Sequence, residues 1–95
     1  MKSHTTADFR KEFRGLSKSV QKQAREAYRL FQSNPQHPGL RFKRVHEKPP
    51  VYSARINRNY RALGILNRDE IIWFWIGSHK EYERLIAKPD GLTRR

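Results

Sequence analysis

Residues 51–76 alternate between apolar and polar positions and then become wholly apolar. In VYSARIN, Tyr52, Ala54 and Ile56 fall on one side and Ser53, Arg55 and Asn57 on the other. That period of two predicts a strand with one covered face and one more open face. In the next run, Arg61, Leu63 and Ile65 alternate with Tyr60, Ala62 and Gly64. The third run, IIWFWI at residues 71–76, has no polar residue, so the centre of that strand should be covered on both sides. Turn-prone Asn, Arg and Asp residues separate the runs, which predicts three neighbouring strands joined by tight connections. Directly afterwards, Gly77 precedes Ser78, with Glu81 three residues on. Ser-x-x-Glu is a capping box, so a helix should begin here and carry His79, Lys80, Tyr82 and Arg84.

The pattern upstream is helical. Thr5 or Thr6 can cap a first helix, with Asp8 in its first turn and Phe9, Phe13 and Leu16 forming one stripe up to a stop at Gly15. Ser17 or Ser19 can cap a second helix, whose apolar face is Val20, Ala24, Ala27, Tyr28 and Phe31. Its other face carries Lys18, Lys22, Arg25, Glu26 and Arg29. Two such helices make a hairpin suited to covering one side of a sheet. Residues 33–39 (SNPQHPG) end the helix, LRFKRV at 40–45 is expected to be a short strand, and 46–50 a loop holding two prolines. Residues 2–6 are expected to form a short edge strand, and 88–95 a frayed basic tail.

Length then sets the scale: 95 residues are expected to form a single domain spanning 1–95. A chain this size hides roughly 60–65% of its unfolded surface. Charge changes the picture more. Twenty-one Lys and Arg against nine Asp and Glu leave +12 at neutral pH, a self-repulsion that points to a polyanionic or acidic partner. With no cysteine, disulfide scaffolds and thiolate metal sites are excluded. The four histidines lack ligand spacing, so no metal or other cofactor is expected. No apolar run nears the ~20 residues of a membrane span, and residues 1–13 lack the apolar stretch of a secretory signal. A cytoplasmic location is the expectation.

Arg55, Arg61, His79, Lys80 and Tyr82 are brought toward one rim of the sheet if the strands pair as neighbours. Cutting RNA without a metal needs a group to take the 2′-hydroxyl proton, a group to protonate the leaving 5′-oxygen, and cations for the charge building on the phosphate. Arg55 and Arg61 suit the last role, because guanidinium stays charged and grips phosphate through two bonds. His79 suits proton transfer. Tyr82 joins it only where nearby cations lower its pKa far below the ~10 of a free phenol. Each residue also has a plain structural reading: His79 as a capping residue, Tyr82 as cover for the sheet edge, Arg61 in an ion pair with Asp69 or Glu70, and Lys80 solvated. Trp73 and Trp75, set either side of Phe74, resemble a base-stacking platform but fit the core better.

The order of elements, with YSARINRNYRALGIL followed by IIWFWIGSHKEYERL, resembles the RelE/ParE superfamily of bacterial type II toxins. The resemblance runs from the helical hairpin at residues 8–31 through residue 86. It is most specific at Asn59-Tyr60-Arg61 and at Ile76-Gly77-Ser78-His79. It implies an α+β fold in which an N-terminal helical hairpin packs on a small, mostly antiparallel twisted sheet with a short C-terminal helix. It further implies a ribosome-dependent, metal-independent mRNA endonuclease that blocks translation by 2′-hydroxyl attack on the 3′-phosphate. The expected partners are a cognate antitoxin, the ribosome and mRNA. By the family pattern the catalytic positions fall on Arg55, Arg61, His79 and Tyr82. Arg41, Lys43, Arg44, His46, Arg58 and Lys80 become candidate RNA-binding residues. The best-known RelE pattern has two lysines on the strand now holding Ser53 and Arg55, so one cation is missing here. The ParE branch, which inhibits DNA gyrase, and a noncatalytic basic RNA-binding module are the alternatives.

Overall fold

Two short turns organise the sheet. In the first, Asn59 N–H donates to Asn57 Oδ1 at 2.7 Å, a side chain closing the backbone on itself. In the second, Arg68 takes a positive φ of 57°. In this computed structural model, which describes residues 1–88, the turns join β3 (Val51–Asn57), β4 (Tyr60–Asn67) and β5 (Glu70–Ser78) into an antiparallel meander. β1 (Lys2–Thr5) adds to β5 in parallel, and β2 (Lys43–His46) adds to β3 antiparallel, giving the order β1-β5-β4-β3-β2. The expected α+β fold is the observed one.

The helices lie where their caps place them. Thr6 accepts from Phe9 N–H to start α1 (Ala7–Arg14), and Gly15 closes it. Ser17 accepts from Val20 N–H to start α2 (Lys18–Ser33). Gln21 stitches the two together, its Nε2 donating to the carbonyls of Phe13, Leu16 and Arg14. Ser78 caps α3 (His79–Ala87) by accepting from Glu81 N–H, and its hydroxyl donates to the Glu81 carboxylate. The capping box therefore forms as the sequence implies.

The sheet is covered on both faces by separate clusters. On one face, α1 and α2 close over Ala54, Ala62, Ile71, Trp73 and Ile76, with Phe31 and Leu40 among them. On the other, α3 lays Tyr82 over Val51, Leu63, Phe74 and Trp75. The alternation expected along 71–76 breaks at Phe74. Trp75 pairs with Leu63 and Trp73 with Gly64, so β5 spends one extra residue there, a bulge that reverses the facing of everything after it. Trp73 and Trp75 consequently lie on opposite faces, both buried, and form no stacking platform. The bulge also turns Gly77 toward the α3 side, where the Trp75 indole lies across it. A Cβ on Gly77 would sit 2.5 Å from Trp75 Cζ2. Gly77→Ala should displace that indole and cost about 1–3 kcal/mol, measured by urea unfolding against the parent.

One element differs from expectation. The strand read over residues 40–45 begins only at Lys43, because Pro38–Leu40 closes a 3₁₀ turn and Arg41 follows in the left-handed region at φ 45°, ψ 43°. Leu40 is buried as a plug under α2 instead of lying along a ladder. His46, expected in a loop, closes the strand. Of the basic tail expected at 88–95, residues 89–95 lie outside the described residues.

Candidate functional site

Strand register assembles the site. Arg55 pairs with Arg61, and Arg61 with Gly77, so the three stand in one row across β3, β4 and β5. The row shares a face with Ser53, Leu63 and Trp75, the face covered by α3. Cα atoms paired in this way lie about 4.5–5.5 Å apart, so Arg55 and Arg61 are forced into each other's field. Like charges directly opposite destabilise a ladder, and here the sheet holds two of them at its end.

Arg61 is half-buried and committed at one edge. Its Nη1 donates to Asn57 O at 2.7 Å, Tyr60 O at 2.9 Å and, at 3.4 Å, Arg58 O. The guanidinium thus closes the first turn, and its Nη2 and Nε have no acceptor among the described residues. Burial, then the neighbouring charge of Arg55, pulls the Arg61 pKa below its ordinary value; Tyr82 acts the other way and Arg41 adds to the lowering. An arginine so placed keeps its charge at neutral pH. The ion pair with Asp69 or Glu70 does not form: Glu70 stands at the other end of the hairpin, beside His4 at 3.8 Å.

α3 delivers the imidazole to the same end. His79 N–H donates to Asn59 O at 2.7 Å, tying the helix start to the turn that Arg61 closes. The His79 ring is half-buried, 5.6 Å from the Tyr82 ring, with Nδ1 at 2.9 Å from Glu83 Oε1. Tyr82 is 5% exposed and belongs to the core. Its hydroxyl lies 3.4 Å from Ser53 Oγ, longer than an ordinary hydroxyl bond. The geometry makes Tyr82 the support on which His79 rests rather than an open surface group.

The other basic candidates divide by position. Arg41, exposed on its left-handed turn, adds a further positive charge that acts on Arg61 in the same sense as Arg55. Lys43 pairs with Ser53, which places it on the same face, exposed. Arg58 is exposed in the turn beside Arg61, and Lys80 is exposed at the start of α3. Arg44 and His46 are not brought in. Arg44 pairs with Glu47 at 3.2 Å and lies over the Tyr52 ring, while His46 Nδ1 is 3.1 Å from Pro49 O. His46 pairs with Val51, four residues along β3 from Arg55, or about 13 Å at strand rise.

Arg41 was named from the sequence as a candidate RNA-binding residue, but its left-handed turn, at a residue other than glycine, had no signal there. The same turn allows a clean test. Glycine adopts that conformation without strain, so Arg41→Gly should hold or raise the melting temperature while weakening RNA binding. A drop in both would show that Arg41 serves the fold instead.

Among the described residues no group of three or more His, Asp or Glu could hold a metal ion, and no helix is long and apolar enough to cross a membrane.

Comparison with known proteins places this arrangement. A family model described as the ParE-like toxin domain matches residues 18–84. Among solved structures, the RelB–RelE antitoxin–toxin complex from Methanococcus jannaschii matches at TM-score 0.69 with 21% identity, covering 85% of this chain and 95% of that one. YafQ from Escherichia coli BL21(DE3) matches at 0.67 with 10% identity, covering 84% and 94%. The archaeal RelE–RelB complex from Pyrococcus horikoshii OT3 matches at 0.66 with 15% identity, covering 81% and 92%. At these identities the structures speak for the fold, and no curated protein matches in sequence. With the family model spanning well over half its length, the chain belongs to the ParE-like toxin family, within the RelE/ParE superfamily.

Proposed function

We propose that this toxin is a ribosome-dependent mRNA endonuclease held in check by a cognate antitoxin. The observation that carries the reading is the row of Arg55 and Arg61 with His79 anchored beside it. Arg61 presents its uncommitted edge, with Arg55 opposite it in the ladder, to the phosphate whose charge rises as the 2′-oxygen attacks. His79 moves a proton, at the 2′-hydroxyl or at the leaving 5′-oxygen. Glu83 and Tyr82 hold its ring in place, and Lys43, Arg58 and Lys80 lie along the path of the flanking strand.

The RelB–RelE complexes among the structural neighbours support an antitoxin as partner. Against a charge of +12, that antitoxin should be acidic where it binds. Binding to ribosomes should weaken steeply with salt, with log K falling linearly against log salt concentration, because phosphate contacts release counterions. Affinity unchanged between low and moderate salt would contradict this.

The description of the matched family favours a second reading, a ParE-like gyrase inhibitor. One experiment separates them. After a brief pulse of expression, 5′ ends of messages are mapped and gyrase supercoiling is assayed. Cuts within codons support the nuclease; gyrase-linked DNA breaks with intact messages support the inhibitor. RNA binding with neither outcome leaves a noncatalytic module.

A further inference from the structure

A second cationic surface lies on the side of the sheet away from Arg61. Along α2, Lys18, Lys22, Arg25 and Arg29 recur at intervals of four, three and four residues. At 3.6 residues per turn, all four fall within about 60° of arc, in a straight row roughly 16 Å long. All are exposed. None has an ion-pair partner among the described residues, and Arg25 lies over the Phe13 ring at 5.3 Å. Glu26, the one carboxylate of α2, sits at the margin of the row. α2 covers the Ala54 and Ala62 face while Arg55 and Arg61 stand in the ladder row of the other, so the row and the candidate site face different ways even though Arg55 borders α2 at Gln23 and Glu26.

We propose that this row docks the phosphate ridge of folded, double-stranded RNA while the opposite face works on a single strand. The inference takes its RNA target from the nuclease reading and adds the surface that anchors the structured part of that target. The row's composition favours RNA over a protein partner. Protein interfaces concentrate their energy in buried aromatic and arginine anchors and are depleted in lysine. This row holds no apolar side chain, and its regular spacing on a rigid helix suits a line of phosphates. Lys18 and Lys22 serve no core contact, while Arg25 and Arg29 border the apolar pocket between the hairpin and the sheet. Four like charges at helical neighbour spacing weaken a helix when nothing neutralises them.

The test uses the full chain and a plain 16-base-pair RNA duplex as probe. Lys18→Gln, Lys22→Gln and Arg29→Gln are combined; Gln keeps helix propensity, and circular dichroism checks the fold. Arg25 is left in place because of its ring contact. The slope of log K against log salt concentration should fall by about 2–3 in magnitude, close to one per lost phosphate contact. Arg55→Gln with Arg61→Gln should reduce the slope for duplex less. A triple variant that binds duplex with the parent slope overturns the proposal. So does a loss of duplex binding confined to the Arg55 and Arg61 variant, or a triple variant that loses only an acidic protein partner. Message cleavage is scored separately. A chain that binds duplex through α2 and leaves messages whole upholds this inference and sinks the nuclease reading.

Discussion

His79→Gln should lower cleavage of ribosome-bound message by about 10²–10⁴-fold, the range that general acid–base groups contribute. Its thermal stability should stay close to that of the parent, because the His79 backbone N–H, not the ring, ties α3 to Asn59. Gln retains a donor and an acceptor but transfers no proton near neutral pH, so the loss isolates that step. A single-turnover assay on programmed ribosomes is the measurement. Cleavage at the parent rate would remove His79 from the chemistry. Arg61→Gln should reduce cleavage by about 10²–10³-fold through lost phosphate stabilisation. That variant needs its own stability control, since Arg61 also closes the Asn57–Tyr60 turn.

The largest effect on stability is expected at Leu63. It is fully buried, opposite Ser53 and Trp75 in the middle of the α3-side cluster. Leu63→Ala removes three carbons and leaves a cavity whose walls are strands, which collapse poorly. The expected loss is about 3–5 kcal/mol. Domains of this size hold only about 5–15 kcal/mol in total, so the variant should melt some 12–40 °C lower at about 4–8 °C per kcal/mol. Arg58→Ala, on the exposed turn, should change stability by no more than about 0.5 kcal/mol. Equal effects at the two positions would mean that the α3 side is not a true core.

Much of this arrangement was legible in the residues. Period-two alternation sorted the faces within residues 51–57 and 60–65 and pointed Arg55 and Arg61 toward one rim, and register then set them opposite each other on one face. The capping box at Ser78 and Glu81 fixed where His79 begins its helix. What stayed hidden has identifiable causes. The bulge at Phe74 is invisible in an unbroken apolar run, because every residue there is apolar whichever way it faces. Tyr82 reads as a reactive phenol beside cations until packing shows it under the helix. The 3₁₀ turn ahead of β2 defeats an alternation argument, since Leu40 and Phe42 are apolar for reasons of plugging rather than strand pairing. Arg44 and His46 are placed apart from the row for different reasons: Arg44 faces the other side with Tyr52 and pairs with Glu47, while His46 sits toward the far end of β3.

The pairing of β1 with β5 joins Lys2 to Glu70 and Thr5 to Trp73, so a strand made early finds its hydrogen-bonding partner 68 residues later. Contacts so distant along the chain form late, because the intervening loop must be closed first. A nascent polypeptide therefore waits, with its leading strand unpaired, until residues beyond 70 are made. The same later portion carries His79, so a product terminated before it would lack both the β1 seam and the imidazole at the candidate site.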